Sequence, residues 1–451
     1  MREERASVLI VAFIVGLAIL IIGSIILFLV LSELKFVSHD EKEVKAFDVA
    51  EAGISKSIWE LTVTGSLPDI EYTVVTADGT AYVNSLMENN NFSWIITSRG
   101  VDDSGVERTI EVEAFVFNVW GTMFSNTTLS THGGAVTGNA SVTGPFYCKQ
   151  DLELTGTTDM RVGPLFIRNG NLIFQSQSAS VGTLAEPIDL FVTGNPIDGQ
   201  GNYYEPYNGS NNSNLYVDTF SHSTPDISLP PLGASEIGTA RNDAKYESTS
   251  SCQKVLDIDN QTNSNSNLEI TSYAVQSRNN IITNMLLDNA QGTEFWLDYT
   301  DDDRYVLHIN GTVFVDGNVI LGENGLDIFY EGKGTIVATG DIDIYSKLKP
   351  VDGTFPLVNI LGVATPASII MRTQNDPSSS FTSPDIAIAA YSSVNTTIEQ
   401  DIQYRGSLVS GLLTFQNNPD LYTDGLLSQH LPPNMPGSDY LITWTPNWQE
   451  K

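Results

Sequence analysis

Asp298, Asp301, Asp302 and Asp303 crowd four carboxylates into one short stretch of the chain. Paired carboxylates serve acid–base chemistry, or join backbone and Asn oxygens in the shell of about six to eight that Ca²⁺ takes. The EF-hand spacing, with its central Gly and distant Glu, is missing, and so are glycine-rich Ca²⁺-binding repeats. A calcium site and a solvated acidic turn both stay open here; hydrolysis is not expected, nor is any cofactor besides Ca²⁺. The five histidines, His39, His132, His222, His308 and His430, show neither HExxH nor close pairing, which disfavours a zinc hydrolase. Cys148 and Cys252 lie too far apart in the chain for a CxxC metal or redox motif. A disulfide between them and two buried thiols are equally compatible with the sequence. No P-loop, dinucleotide fingerprint or GxSxG elbow occurs.

Chemistry being scarce, the elements themselves carry the reading. Asp and Glu outnumber Lys and Arg by 54 to 22 among 451 residues, for a net charge of −32. That sign repels phosphate backbones and argues against nucleic-acid binding, while suiting a solvated extracellular surface.

Val8 to Leu31 is an unbroken apolar run, roughly 36 Å long as a helix and enough to cross a hydrocarbon core of about 30 Å. Arg2 and Arg5, set against Glu3 and Glu4, give a weak positive-inside signal that points the amino terminus to the cytoplasm and the rest of the chain outside. Past the run, Leu34, Val37, Val44, Phe47, Ile54, Ile58 and Leu61 recur at helical spacing, so the stripe is expected to pack the rod on the sheet that follows. No proline occurs before Pro68, and Gly65 with Pro68 predicts the helix end. Gly16, Ala18, Gly23 and Ser24 offer small surfaces for close helix approach, which a plain lipid anchor tolerates equally well.

Alternating runs from Glu71 to Trp120, with a hairpin signal at Asp78-Gly79, predict a small antiparallel sheet. Beyond Thr122 the strands shorten and each ends in a Gly, Asn or polar break. VDGNV at 315–319 and ATGDI at 338–342 echo each other. The spacing suits stacked rungs of a parallel β-solenoid, with a β-sandwich as the alternative. Between these blocks lies an Asn-, Ser- and Tyr-rich stretch. There Tyr203, Tyr204, Tyr207 and Tyr216 either stack on sugars or a partner protein, or anchor the loop.

The apolar helix entered directly after a short charged head, followed by Ala50-Glu51-Ala52-Gly53 and the helical continuation Ser57 to Leu61, resembles the amino terminus of PilX-type minor pilins of the type IV pilus. GTIVATGDI at 334–342 and Leu431-Pro432-Pro433-Asn434-Met435-Pro436-Gly437, with Trp444 and Trp448 beyond, are similar to carboxy-terminal pieces of the same family. The resemblance implies a leader cut by prepilin peptidase between Ala6 and Ser7, and a helix that leaves the lipid to join other pilins on an inner-membrane platform. The family usually has Gly where Ala6 stands. Val11 occupies the fifth mature position, where many pilins carry Glu, which points to a specialised low-copy subunit.

Together these readings give a mainly β protein with a long N-terminal transmembrane and amphipathic helix. The expected segments are a leader (1–6), a pilin-like helix (7–67, membrane part 8–31), a pilin-like antiparallel sheet (68–120), a first solenoid part (121–194), the Asn/Ser/Tyr-rich insertion (195–300), a second solenoid part (301–430) and a C-terminal tail (431–451). The expected function is non-enzymatic: a filament subunit displaying an extracellular β-rich body for adhesion or assembly. A membrane-anchored protein that binds or acts on surface glycans is the alternative.

Overall fold

The computed structural model describes residues 2–64, 67, 71–87, 93–126, 140–209, 211, 213–244, 268–270, 294–299, 305–322, 327–373, 379–437 and 441–450. The chain divides into two compact units: residues 1–89, 93–116 and 447–451 form one, and residues 90–92 and 117–446 the other.

The first unit is built on α1 (Arg2–Thr64), a single helix of 63 residues and about 95 Å. Its second half lies on an antiparallel meander of β1 (Tyr72–Val75), β2 (Gly79–Met87), β3 (Ser93–Asp102) and β4 (Glu107–Asn118). The final strand, Leu441–Glu450, adds to the edge beyond β4. The β1–β2 turn falls at Asp78-Gly79, where Gly79 has φ 153° and its carbonyl accepts from Thr76 N at 2.9 Å. Alternation along β2 and β3 sends Ala81, Val83, Trp94 and Ile96 toward α1.

The stripe read in the sequence meets this core from Phe47 onward, with Ile54 and Leu61 buried and Phe47 and Ile58 packed against it, but its first three residues do not. Ala46, Val49, Ala50, Gly53, Ile54, Ser57 and Leu61 are buried, whereas Leu34 (60% exposed), Val37 (64%) and Val44 (59%) stay uncovered. Small residues win the contact because they let backbone approach backbone, and a periodicity weighted toward large side chains overlooks them.

The second unit consists of short parallel strands stacked in register. One ladder runs Tyr305–Val315, Lys333–Ala338, Ile360–Thr365, Ile386–Ser392, Gln403–Ser410, then Met123–Ser125, Phe146–Cys148, Leu165–Ile167, Ile188–Val192 and Val217–Ser221. A flanking series continues the same sheet, and two separate parallel sheets of three and six strands accompany it. Rungs made late in the chain therefore stack on rungs made early, with Val409 beside Phe124 and Leu421 beside Val142. Met123–Ser125, the first strand of this unit, and Asp420–Thr423, late in its sequence, both lie at this internal seam.

Corner side chains tie rung to rung. Asp151 Oδ1 accepts from Asn171 N at 2.6 Å, and Asn171 Oδ1 accepts in turn from Asn195 N at 3.0 Å. Asn318 Oδ1 accepts from Asp341 N at 2.8 Å, and Asp341 Oδ1 from Ser368 N at 3.0 Å. The separations across these bonds are 20, 24, 23 and 27 residues, so rung length varies and leaves no fixed period in the sequence. Aromatic rings align as well: Phe124, Tyr147, Phe166 and Phe191 are register neighbours, with Phe124 and Tyr147 stacked at 4.9 Å and Phe166 and Phe191 at 5.1 Å.

Candidate functional site

The first candidate is the free half of α1. No charged residue occurs between Arg5 and Glu33, and this helix is long and apolar enough to cross a membrane. From Phe13 to Val37 its large side chains are uncovered, Phe13 and Phe28 at 72% exposure. Ser24 and Ser32 donate their hydroxyls to Leu20 O and Leu29 O, each at 2.8 Å, so neither presents an unmet donor to an apolar environment. Space is open beside Gly16 and Gly23. Such a surface is stable only in lipid or against other apolar helices. Ala6 and Ser7 fall within α1, and their side chains lie outside the described ones.

Ala50-Glu51-Ala52-Gly53 forms the seat of the helix on its sheet. A Cβ on Gly53 would sit 2.3 Å from Ser98 Oγ and 2.9 Å from Val83, while one on Gly100 of β3 would sit 2.1 Å from Ala46 O and 2.4 Å from Ala50 N. Gly100 is thus where the sheet backbone nearly touches that of the helix, at Ala46 and Ala50, while Gly53 makes room for sheet side chains; Ala52 is half-buried and Glu51 exposed. One turn on, the Ser57 hydroxyl meets Tyr72 OH and donates to Gly53 O at 2.8 Å. Burial raises the Tyr72 hydroxyl above its usual range, against the lowering effect of Ser57. Arg108 of β4 pairs with Glu43, and Lys56 lies 4.2 Å over the exposed Trp59 ring.

The remaining predicted residues are dispersed. Asp298 belongs to the strand Glu294–Tyr299, whose side chains are not among the described ones, and Asp301, Asp302 and Asp303 lie outside the described residues, as does Cys252. Cys148 is buried, its Sγ 3.6 Å from Asp151 O. Among the described residues no three His, Cys, Asp or Glu gather to hold a metal. Tyr204 stacks on Phe174 at 4.2 Å and Tyr207 packs on Tyr216 at 4.9 Å, an anchoring role, while Tyr203 stays exposed.

A feature that the sequence reading passed over is a pair of straps across the long ladder. Its central strands are buried on both faces, as in Phe146–Cys148 and Ile360–Thr365, where residues 224–244 and 430–437 cover the outside. Tyr147 OH donates to Pro225 O and accepts from Ile227 N, both at 3.1 Å, and burial lifts its hydroxyl well above the usual range. Tyr391 OH donates to Pro230 O, Thr335 Oγ1 donates to Pro433 O at 2.5 Å, and Trp120 Nε1 to Pro436 O at 2.9 Å. Between the straps lies a cleft of about 630 Å³, walled by Pro230 and Pro231 on one side and Met435 and Pro436 on the other. Glu236, in its wall, is already committed, since it accepts from Gly233 N at 3.0 Å and caps α2 (Ala234–Ala244). The signal was present as Leu-Pro-Pro written twice, at 229–231 and 431–433.

No family model matches the chain. No curated relative matches it either. Among solved structures it is similar to the competence-associated pilin ComZ from Thermus thermophilus, at 14% identity and a TM-score of 0.34, over 91% of this chain and 97% of that one.

Proposed function

We propose that this chain is a pilin-like structural subunit, a PilX-type minor pilin that sits in a type IV pilus or related filament and carries its β-rich body outside the cell. The observation that bears most weight is the continuity of α1. A helix uncovered from Phe13 to Val37 runs without a break into a half clamped on its own sheet at Ala46, Ala50, Gly53 and Gly100. A lipid anchor alone needs no such rigid extension, whereas a helix that must hold its folded head at a set distance from a helical bundle does. On this reading the stacked ladders are a β-solenoid, and the body is non-catalytic and serves adhesion or assembly. Other pilins, the prepilin peptidase, an inner-membrane platform and, before assembly, membrane lipid are the partners. The leader is removed between Ala6 and Ser7.

Mass spectrometry of the protein recovered from sheared filaments and from membranes tests this directly. A chain starting at Ser7 in the filament fraction is the expected result. An intact Met1 confined to membranes would leave the alternative, an anchored glycan-binding surface protein, as the better account.

A further inference from the structure

The flank of the stack that the straps leave alone runs Asp327–Glu331, Lys347–Pro350, Gln403–Ser410, Asp420–Thr423, Ser141–Thr143, Asp159–Arg161 and Ser180–Val181. Its strands keep the alternation of buried and half-exposed residues that marks a sheet covered on one side only; on the outer face Phe355 and Phe381 pack over Arg405, and the other outward residues are half-exposed or exposed. Outward side chains line up in two columns. Gln403, Asp420, Ser141, Asp159 and Ser180 are successive neighbours in one, and Arg405, Tyr422, Thr143 and Arg161 in the other. At about 4.8 Å per rung the first column extends roughly 19 Å along the stack.

The charges on this face are matched. Arg405 donates through Nε and Nη2 to Asp424 Oδ2 at 2.9 and 2.7 Å. Arg161 pairs with Asp159, and Lys347 and Lys349 lie within 4.0 Å of Asp327. Gln403 donates to Asp420. A polyanion therefore meets carboxylates beside every one of these cations, and a basic peptide meets cations beside the carboxylates. What the face offers is a dense array of planar amide, carboxylate and guanidinium groups with rings set among them. Phe381, 41% exposed, lies 4.9 Å from Tyr422 and takes the Arg405 guanidinium at 4.7 Å. Sugar rings use that pairing of chemistries, hydroxyls on the planar groups and C–H faces on the aromatics.

We propose that this face binds a neutral, extended polysaccharide running along the stack, with Phe381 and Tyr422 as stacking rings and Gln403, Asp420, Asp159 and Arg161 as hydrogen-bonding partners. The site spans the seam, because Asp420 and Ser141 come from opposite ends of the body's sequence. It does not depend on the role given to α1, since the face is the same in a filament or a bilayer.

The test is calorimetric titration of the full chain in detergent micelles with chitohexaose and with cellohexaose. Saturable binding to at least one is expected. Tyr422→Ala and, separately, the exposed Phe381→Ala should each weaken it tenfold or more, while Tyr422→Phe stays within threefold. Thermal melts of each variant establish that it is folded. Failure of both oligosaccharides at millimolar concentration overturns the proposal, as does unchanged binding in both alanine variants. Tighter binding of a heparin hexasaccharide or of single-stranded DNA than of either neutral oligosaccharide overturns it too.

Discussion

Gly100→Ala should be the most damaging one-methyl change in the first unit. Its Cβ would lie 2.1 Å from Ala46 O, 2.4 Å from Ala50 N and 3.0 Å from Ala50 Cα, all of them helix backbone. Ordinary contact needs about 3.4 Å or more, so α1 must retreat by roughly 1 Å, opening gaps around Val49, Ile54 and Trp94. Overpacking of this kind costs about 1–3 kcal/mol. Because no side chain can rotate out of the way, the upper end is expected, offset by about 0.4–1 kcal/mol from the stiffer unfolded chain. Gly53→Ala makes the useful contrast. Its close contacts are side chains, Ser98 Oγ at 2.3 Å and Val83 Cγ2 at 2.9 Å, and it regains about 1 kcal/mol of helix propensity. Near-ultraviolet circular dichroism of the chain in micelles should place the Gly100→Ala melt about 2 kcal/mol below the parent and below Gly53→Ala. If Gly100→Ala melts with the parent, or if Ala50→Gly rescues it, the backbone-contact argument fails, because Ala50 contributes its N and Cα and not its methyl.

Two further outcomes follow from the buried polar groups. Tyr147→Phe strips Ile227 N–H and Pro225 O of their shared partner beneath the first strap, and should cost about 1–3 kcal/mol in urea denaturation, with faster proteolysis within residues 224–244 as a second readout. Asp102 accepts from Ser104 Oγ at 2.9 Å and from Val106 N at 2.7 Å, and the Ser104 hydroxyl leads the interactions that hold its carboxyl below the usual range. A carboxyl with a depressed folded pKa adds stability above its unfolded value, near 3.9, and loses it as pH falls through the folded one. Asp102→Ala should therefore lower the melting temperature at pH 7 and leave it nearly unchanged at the acid end of that window.

How much of this was legible in the chain differs by element. The α1 rod, its end before Pro68 and the Asp78-Gly79 hairpin could be read because they are set by neighbours in sequence. The seat of the rod was read correctly at Phe47, Ile54, Ile58 and Leu61 but carried too far toward Leu34, and Ala46, Ala50 and Gly53 were missed because small residues give no hydrophobic signal. Short strands such as Leu165–Ile167, an apolar triplet, and Ile342–Ile344, an alternating one, were visible in the sequence, but their stacking order was not. Bonds such as Ser407 Oγ to Thr122 O join residues 285 apart, and with rungs of unequal length no local pattern announces such a pairing. Pro230 and Pro433 read as loop residues because the polar atoms that fix them, on Tyr391 and Thr335, belong to distant rungs.

The seam also decides how load and growth reach the body. A pull entering the body from residue 117 reaches its first strand, Met123–Ser125, which lies beside Gln403–Ser410 in the interior of the stack. A stack gripped at an end peels one rung at a time. Here the first strand of the body is held by parallel neighbours on both sides, Gln403–Ser410 and Phe146–Cys148. Rungs can likewise be gained or lost at either extremity by insertion between 221 and 305 without moving the seam at Met123–Ser125 and Gln403–Ser410. Reach and grip are thereby set by separate parts of the sequence.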